Sequence, residues 1–233
     1  MNQQFFTYKN IAKMIDHSLL NPALTTQELE NGIRLAIDYD VASVCILPYY
    51  LNRCSQILKN TDVKPSTTIG FPHGCHKIET KIKEIEEALK DGAEELDMVV
   101  NISKVLSEDW LYVDNEIKSA TKIIHNAKKK IKVIFENCYL NDEQKIKLCE
   151  ICGESNVDWI KTSTGYGSGG ATIQDVLLMK KHSPSNVKIK AAGGIRTFDK
   201  LLEFREIGVD RIGASKTQDI LEEVKHRLGT CGV

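Results

Sequence analysis

The chain has 233 residues, 42% of them hydrophobic, with 31 basic and 32 acidic side chains that leave a formal net charge of −1. That length and apolar content suit one α/β domain of barrel size, residues 1–233, and no Gly/Ser or Pro linker or low-complexity tract divides it. The well-mixed charges exclude a basic footprint for nucleic acid or an anionic membrane, and no stretch is long and apolar enough to span a bilayer.

Short apolar runs alternate with longer helical ones. A strand over 14–19 is followed by a helix over 26–39, with Thr25, Thr26 and Glu28 as its N-terminal cap region. A strand over 43–47, a helix over 48–59, a strand over 66–70 and a helix over 77–90 come next, Gly92 closing the last. The fourth unit pairs a strand over 94–100 with a helix over 104–127. The fifth pairs 131–136 with a helix over 141–152, opened by Asn141 and Asp142 and closed by Gly153. Strands over 157–161, 187–192 and 210–213 alternate with helices over 172–181, 197–207 and 217–228, Gly208 ending the second of these. Strict alternation of strand and helix demands parallel strands, and eight units without a break favour a closed (β/α)8 TIM barrel over an open sheet. Chemistry then belongs at the C-terminal ends of the strands.

Residues two apart on a strand share a face, which sorts these runs further. Val187, Ile189 and Ala191 face the helices, so Lys188 and Lys190 face the barrel axis. Leu96, Met98 and Val100 outside leave Glu95 and Asp97 inside; Ile131, Val133 and Phe135 outside leave Lys132 and Glu136 inside. Asp16 and Ser18 oppose Ile15 and His17, and Val157 and Trp159 share the face of Lys161. The barrel mouth therefore collects Lys161, Lys190, Asp97, Asp16 and Glu136. Any one of these charges reads equally well as part of a structural ion-pair network. The two lysines do not: each ends an apolar run just before a glycine turn, one βα unit apart, so their ammonium groups can face each other. A neighbouring cation keeps an amine neutral and nucleophilic, the requirement for Schiff-base chemistry on a carbonyl.

Glycine turns follow three successive strands: Gly165, Gly167, Gly169 and Gly170, then Gly193 and Gly194, then Gly213 with Ala214 and Ser215. Exposed backbone N–H groups at such turns bind phosphate, and Arg196 stands close by. Seven cysteines scattered over apparent core positions point to reduced thiols and a cytosolic setting, in keeping with an N-terminal segment that lacks an apolar leader. Cys149 and Cys152 fall on one helix face and read as core, and His73, Cys75 and His76 crowd one turn without distant partner ligands for a metal.

Six segments together closely resemble deoxyribose-phosphate aldolase: Asp16–Leu20, Ile69–Gly74, Glu95–Ile102, Lys132–Glu136, Lys161–Thr172 and Lys190–Thr197. The resemblance runs nearly end to end. It implies a TIM barrel that reversibly cleaves 2-deoxy-D-ribose 5-phosphate to acetaldehyde and D-glyceraldehyde 3-phosphate without metal or other cofactor, in a cytoplasmic homo-oligomer, dimer or tetramer. It assigns Lys161 as the Schiff-base nucleophile, Lys190 as the cation beside it and Asp97 as the proton donor and acceptor. Asp16 and Glu136 are expected to orient Lys190, and Gly165, Gly193, Gly194, Gly213 and Ser215 to hold the 5-phosphate. Some relatives end in a longer tail with a terminal tyrosine; this sequence ends Gly229–Val233, and Tyr166 stands where some carry lysine. The competing readings are a Schiff-base aldolase or transaldolase for another phosphorylated sugar, and a phosphate-binding barrel without chemistry.

Overall fold

A computed structural model describes residues 6–230; the N-terminal stretch 1–5 and the tail 231–233 lie outside the described residues. In chain order the elements are α1 (Tyr8–Ala12), β1 (Ile15–Leu19), α2 (Thr26–Asp38), β2 (Ser43–Ile46), α3 (Leu51–Leu58), β3 (Lys64–Ile69), α4 (Ile78–Lys90), β4 (Glu95–Val99), α5 (Ile102–Leu106), α6 (Trp110–Asn126), β5 (Lys130–Ile134), α7 (Asp142–Glu154), β6 (Trp159–Lys161), α8 (Ile173–His182), β7 (Lys188–Ala192), α9 (Phe198–Glu206), β8 (Arg211–Ala214) and α10 (Thr217–Thr230). All eight strands are parallel, and β8 pairs with β1 to close the barrel. The expected (β/α)8 architecture is therefore present.

The apolar core lies between the strands and the ring of helices. Leu96 and Met98 of β4 meet it from the sheet side, and Leu29, Ile85, Ile117, Leu148, Val176, Leu201 and Val224 from the helices. Cys149 and Cys152 belong to this cluster, and burial pushes both thiols up, Cys149 to about 11. Helix starts follow local chemistry: Thr25 with Glu28, and Asn141 with Gln144, form reciprocal capping boxes.

Three local features differ from the sequence expectation. The stretch 104–127 is two helices, because Glu108 adopts a left-handed φ of 54° and Asp109 caps the second by accepting from the Tyr112 N–H. A five-residue helix, α1, precedes the barrel, capped by Thr7 and packed against α10. Strand β5 ends at Ile134, two residues early, since Glu136 turns into the left-handed region at φ 58°.

A buried ion pair anchors the end of β4. Lys81 Nζ lies 2.7 Å from Glu116 Oε1 and donates to the Val99 carbonyl at 2.7 Å, while Glu116 Oε2 accepts from the Asn101 N–H at 2.9 Å. The charges thus satisfy backbone groups that would otherwise be orphaned where the strand stops.

His17, on the opposite face of β1 from Asp16, places Nδ1 2.8 Å from the Thr217 hydroxyl. Burial lowers its pKa from 6.5 to about 4, so the folded protein holds it neutral. The unfolded chain gains a proton through pH 6.5 while the folded chain does not until about 4, so stability falls with pH across that window. The loss approaches about 3 kcal/mol at its lower end. Thermal midpoints recorded from pH 7 to 4.5 should fall for the native sequence, and the fall should be shallower in His17→Gln.

Candidate active site

The barrel register sets the expected site side chains side by side. Lys161 pairs with Lys190, Asp97 with Lys132, Lys190 with Arg211, and Asp16 with Gly213. Alternation along each strand turns these side chains inward. Lys161 Nζ and Lys190 Nζ meet the same oxygen, Asp97 Oδ2, at 2.8 and 2.7 Å. Lys190 also lies 2.6 Å from Asp16 Oδ2, and Lys132 lies 2.8 Å from Asp97 Oδ1. Gly213 makes room for this crowd, since a Cβ there would sit 3.0 Å from Ala192 Cβ and 3.4 Å from Lys190 Cε.

The two lysines differ electrostatically. Burial lowers the proton affinity of Lys161; Asp97 opposes that effect and the Lys190 charge reinforces it, for a net downward shift. Burial acts in the same sense on Lys190, but Asp16 and Asp97 overcome it, and its pKa rises. The two amines are thus driven apart in proton affinity, Lys161 downward and Lys190 upward. Burial opposes ionisation of Asp97, yet Lys132, Lys161 and Lys190 outweigh it and hold the carboxyl well below its usual range. Lys132, Lys161, Lys190 and Arg211 face Asp16, Glu95 and Asp97 through this set of contacts. Lys188, over the Trp159 ring at 5.1 Å, is exposed to solvent and outside this contact set. Within the set, fully ionised, four cations against three carboxylates leave one uncompensated positive charge, which loss of the Lys161 proton removes.

A cavity of about 560 Å³ opens above this layer, lined at its floor by Asp16, Cys45, Lys161 and Lys190. The expected phosphate-binding residues Gly165, Gly193, Gly194, Gly213 and Ser215 all line it, with Arg196 beside them. Gly165 and Gly194 have φ of 90° and 82°, conformations that favour glycine, and no heavy atom lies within 4 Å of a Cβ built on either. The loop after β6 rests on the loop after β7, with the Ala171 N–H donating to Ala192 O at 3.0 Å; a Cβ on Gly170 would strike Gly193 O at 2.3 Å. Asp97 itself is fully buried behind the two amines.

The structure corrects the placement of Glu136. Its carboxylate accepts from the Thr164 N–H at 3.1 Å and from the Thr164 hydroxyl, so it braces the loop after β6 instead of orienting Lys190. The left-handed backbone at Glu136 breaks the alternation on which the expectation rested. The Thr164 hydroxyl in turn accepts from the Tyr166 N–H at 2.9 Å, and the Tyr166 phenol donates to Leu20 O at 2.7 Å. Tyr166 packs edge-on against Phe71, with ring centroids 5.4 Å apart, and so ties the loops after β1, β3 and β6 together along one wall of the cavity. Sequence reasoning also missed Asn21 and Pro22 of that wall, and the part played by Arg211. The available signal for Arg211 was its parity with Gly213 on β8.

A parallel eight-stranded barrel with a buried lysine pair at its mouth, one amine depressed and one raised, defines the class: an aldolase-type (β/α)8 enzyme. The family model described as DeoC/LacD family aldolase matches residues 10–220, and the chain belongs to that family of carbon–carbon lyases. It is 60% identical over 224 residues to a deoxyribose-phosphate aldolase of Rhodopirellula baltica, covering 96% of this chain and 93% of the relative. A Thermococcus kodakarensis protein of the same name is 44% identical, covering 92% and 96%. Among solved structures, an aldolase called QR15 superposes with a TM-score of 0.89 at 38% identity, covering 95% of this chain and 98% of that one. A tetrameric deoxyribose phosphate aldolase from Aeropyrum pernix superposes with a TM-score of 0.87 at 30% identity, covering 94% and 92%.

Proposed function

We propose that this aldolase reversibly cleaves 2-deoxy-D-ribose 5-phosphate to acetaldehyde and D-glyceraldehyde 3-phosphate through a Schiff base on Lys161, in deoxynucleoside breakdown. The observation that carries the reading is the sharing of Asp97 Oδ2 by two lysines whose proton affinities are driven apart. The neutral Lys161 amine attacks the aldehyde carbon of the open-chain sugar, and loss of water from the carbinolamine gives an iminium. Removal of the proton from the C3 hydroxyl lets the C2–C3 bond break, its electrons entering the iminium to form an enamine. C3 leaves as the aldehyde of glyceraldehyde 3-phosphate. Protonation of the enamine at C2 and hydrolysis return acetaldehyde and the free amine.

Asp97 serves these proton steps, assisted by a bound water. Its proton affinity rises once Lys161 has given up its proton and stays raised through the uncharged carbinolamine, because one of its three cations is then absent. Lys190 stays charged throughout, and Asp16 holds it in place. The 5-phosphate sits on the backbone of Gly165, Gly193, Gly194, Gly213 and Ser215, with Arg196 supplying charge at the cavity mouth. The whole chain acts as one catalytic domain, with no nucleic acid or membrane partner. We place it in the cytoplasm as a homo-oligomer; the free thiols of the described cysteines and the tetrameric relative support those two points.

Incubation with 2-deoxyribose 5-phosphate followed by borohydride should add a two-carbon or sugar-derived mass to the peptide carrying Lys161. Binding without an adduct would overturn the Schiff-base reading, and an adduct on Lys190 would reverse the two lysine roles.

A further inference from the structure

Below the two lysines the barrel interior holds a second layer of charge that the reaction steps do not use. Glu95 enters from β4 and Arg211 from β8, with Arg211 Nη1 2.9 Å from Glu95 Oε2 and 2.5 Å from Asp16 Oδ1. Glu95 Oε2 also lies 2.5 Å from Lys132 Nζ. The lower layer is therefore tied to the upper one twice, through Asp16 to Lys190 and through Lys132 to Asp97. Trp159 lines the same level, its ring 5.0 Å from the Arg211 guanidinium and 5.8 Å from Lys132 Nζ.

We propose that Glu95 and Arg211 are positioning residues that govern from below how readily Lys161 gives up its proton, acting through Asp16 and Lys132. The inference rests on Lys161 being the imine-forming amine. Lys161 is faced by Asp97 from β4, by Lys190 from β7 and by Cys45 from β2, whose thiol burial keeps protonated. Lys132 from β5 and Asp16 from β1 stand one contact further out, on Asp97 and Lys190 respectively, and Arg196 after β7 lines the same cavity in every variant considered. In the native set, deprotonating Lys161 takes the interior from one excess positive charge to balance. Without Arg211 the interior is already balanced while Lys161 is charged, so its proton is held more tightly. Without Glu95 there are two excess positive charges, and the proton leaves more easily. A merely structural pair has no reason to move the titration in opposite directions.

The test uses acetaldehyde and cyanoborohydride, which alkylate Lys161 only as the free amine, with the rate followed by peptide mapping between pH 6 and 10. The midpoint of the rate profile should rise by roughly half a unit to one unit in Arg211→Met and fall by a similar amount in Glu95→Gln. Arg211→Lys, which keeps the charge, should stay at the native midpoint. The double variant Glu95→Gln/Arg211→Met restores one excess cation and should return there too. Circular dichroism identifies any variant that does not fold. Each single variant carries a sign of its own, so the isosteric Glu95→Gln decides the matter if Arg211→Met fails to fold. A midpoint that stays put or moves upward in Glu95→Gln, or moves downward in Arg211→Met, overturns the inference. Failure of the native protein to be alkylated preferentially at Lys161 would instead overturn the Schiff-base reading.

Discussion

Lys161→Leu should lose turnover by at least about 10⁴-fold while the barrel keeps its stability. Leucine cannot form an imine, and among the described residues no other amine lines the cavity floor except Lys190, which its two carboxylate partners hold in the charged form. The fold survives because Asp97 retains Lys132 and Lys190, and the interior is left with three cations facing three carboxylates. A thermal midpoint within about 4 °C of the native value, together with absence of the borohydride adduct, would fit this account. More than trace activity would exclude Lys161 as the nucleophile.

Lys190→Leu should be impaired by about 10²–10³-fold, and its surviving activity should demand higher pH. The sign follows from the local charges. Removing Lys190 deletes the cation that drives the Lys161 proton away and leaves Asp97 Oδ2 to Lys161 alone. Both changes favour the charged amine. The acid limb of kcat/KM should therefore move toward the ordinary lysine value by roughly one to two units. An unchanged pH profile would refute the charge-pair mechanism even if activity fell.

Much of this site is legible in the amino-acid sequence. The fold followed from strict alternation of apolar runs and capped helices, and strand parity alone turned Asp16, Glu95, Asp97, Lys132 and Lys190 inward. Parity failed where the backbone left the extended region: Glu136 lies past the end of β5 at a positive φ, and its carboxylate consequently points into the loop that Lys161 begins. Nothing in the run from Lys104 to Ala127 except one Ser-Glu-Asp triplet marks the break between α5 and α6, since glutamate has no general preference for the conformation Glu108 adopts. The lysine pair was expected to confront one another directly. A shared carboxylate oxygen between them is a property of three strands in register, which no spacing along the chain reveals. The Tyr166 to Leu20 bond spans 146 residues and is invisible to local pattern for the same reason.

The ionic interior has a thermal consequence. Ordering of water around charged groups makes their hydration less favourable as temperature rises, so the cost of withholding water from Asp16, Glu95, Asp97 and their cationic partners shrinks on heating. Their mutual attraction does not weaken in step. A barrel filled with hydrocarbon would gain nothing of this kind, whereas this one surrenders less to hydration as it is warmed.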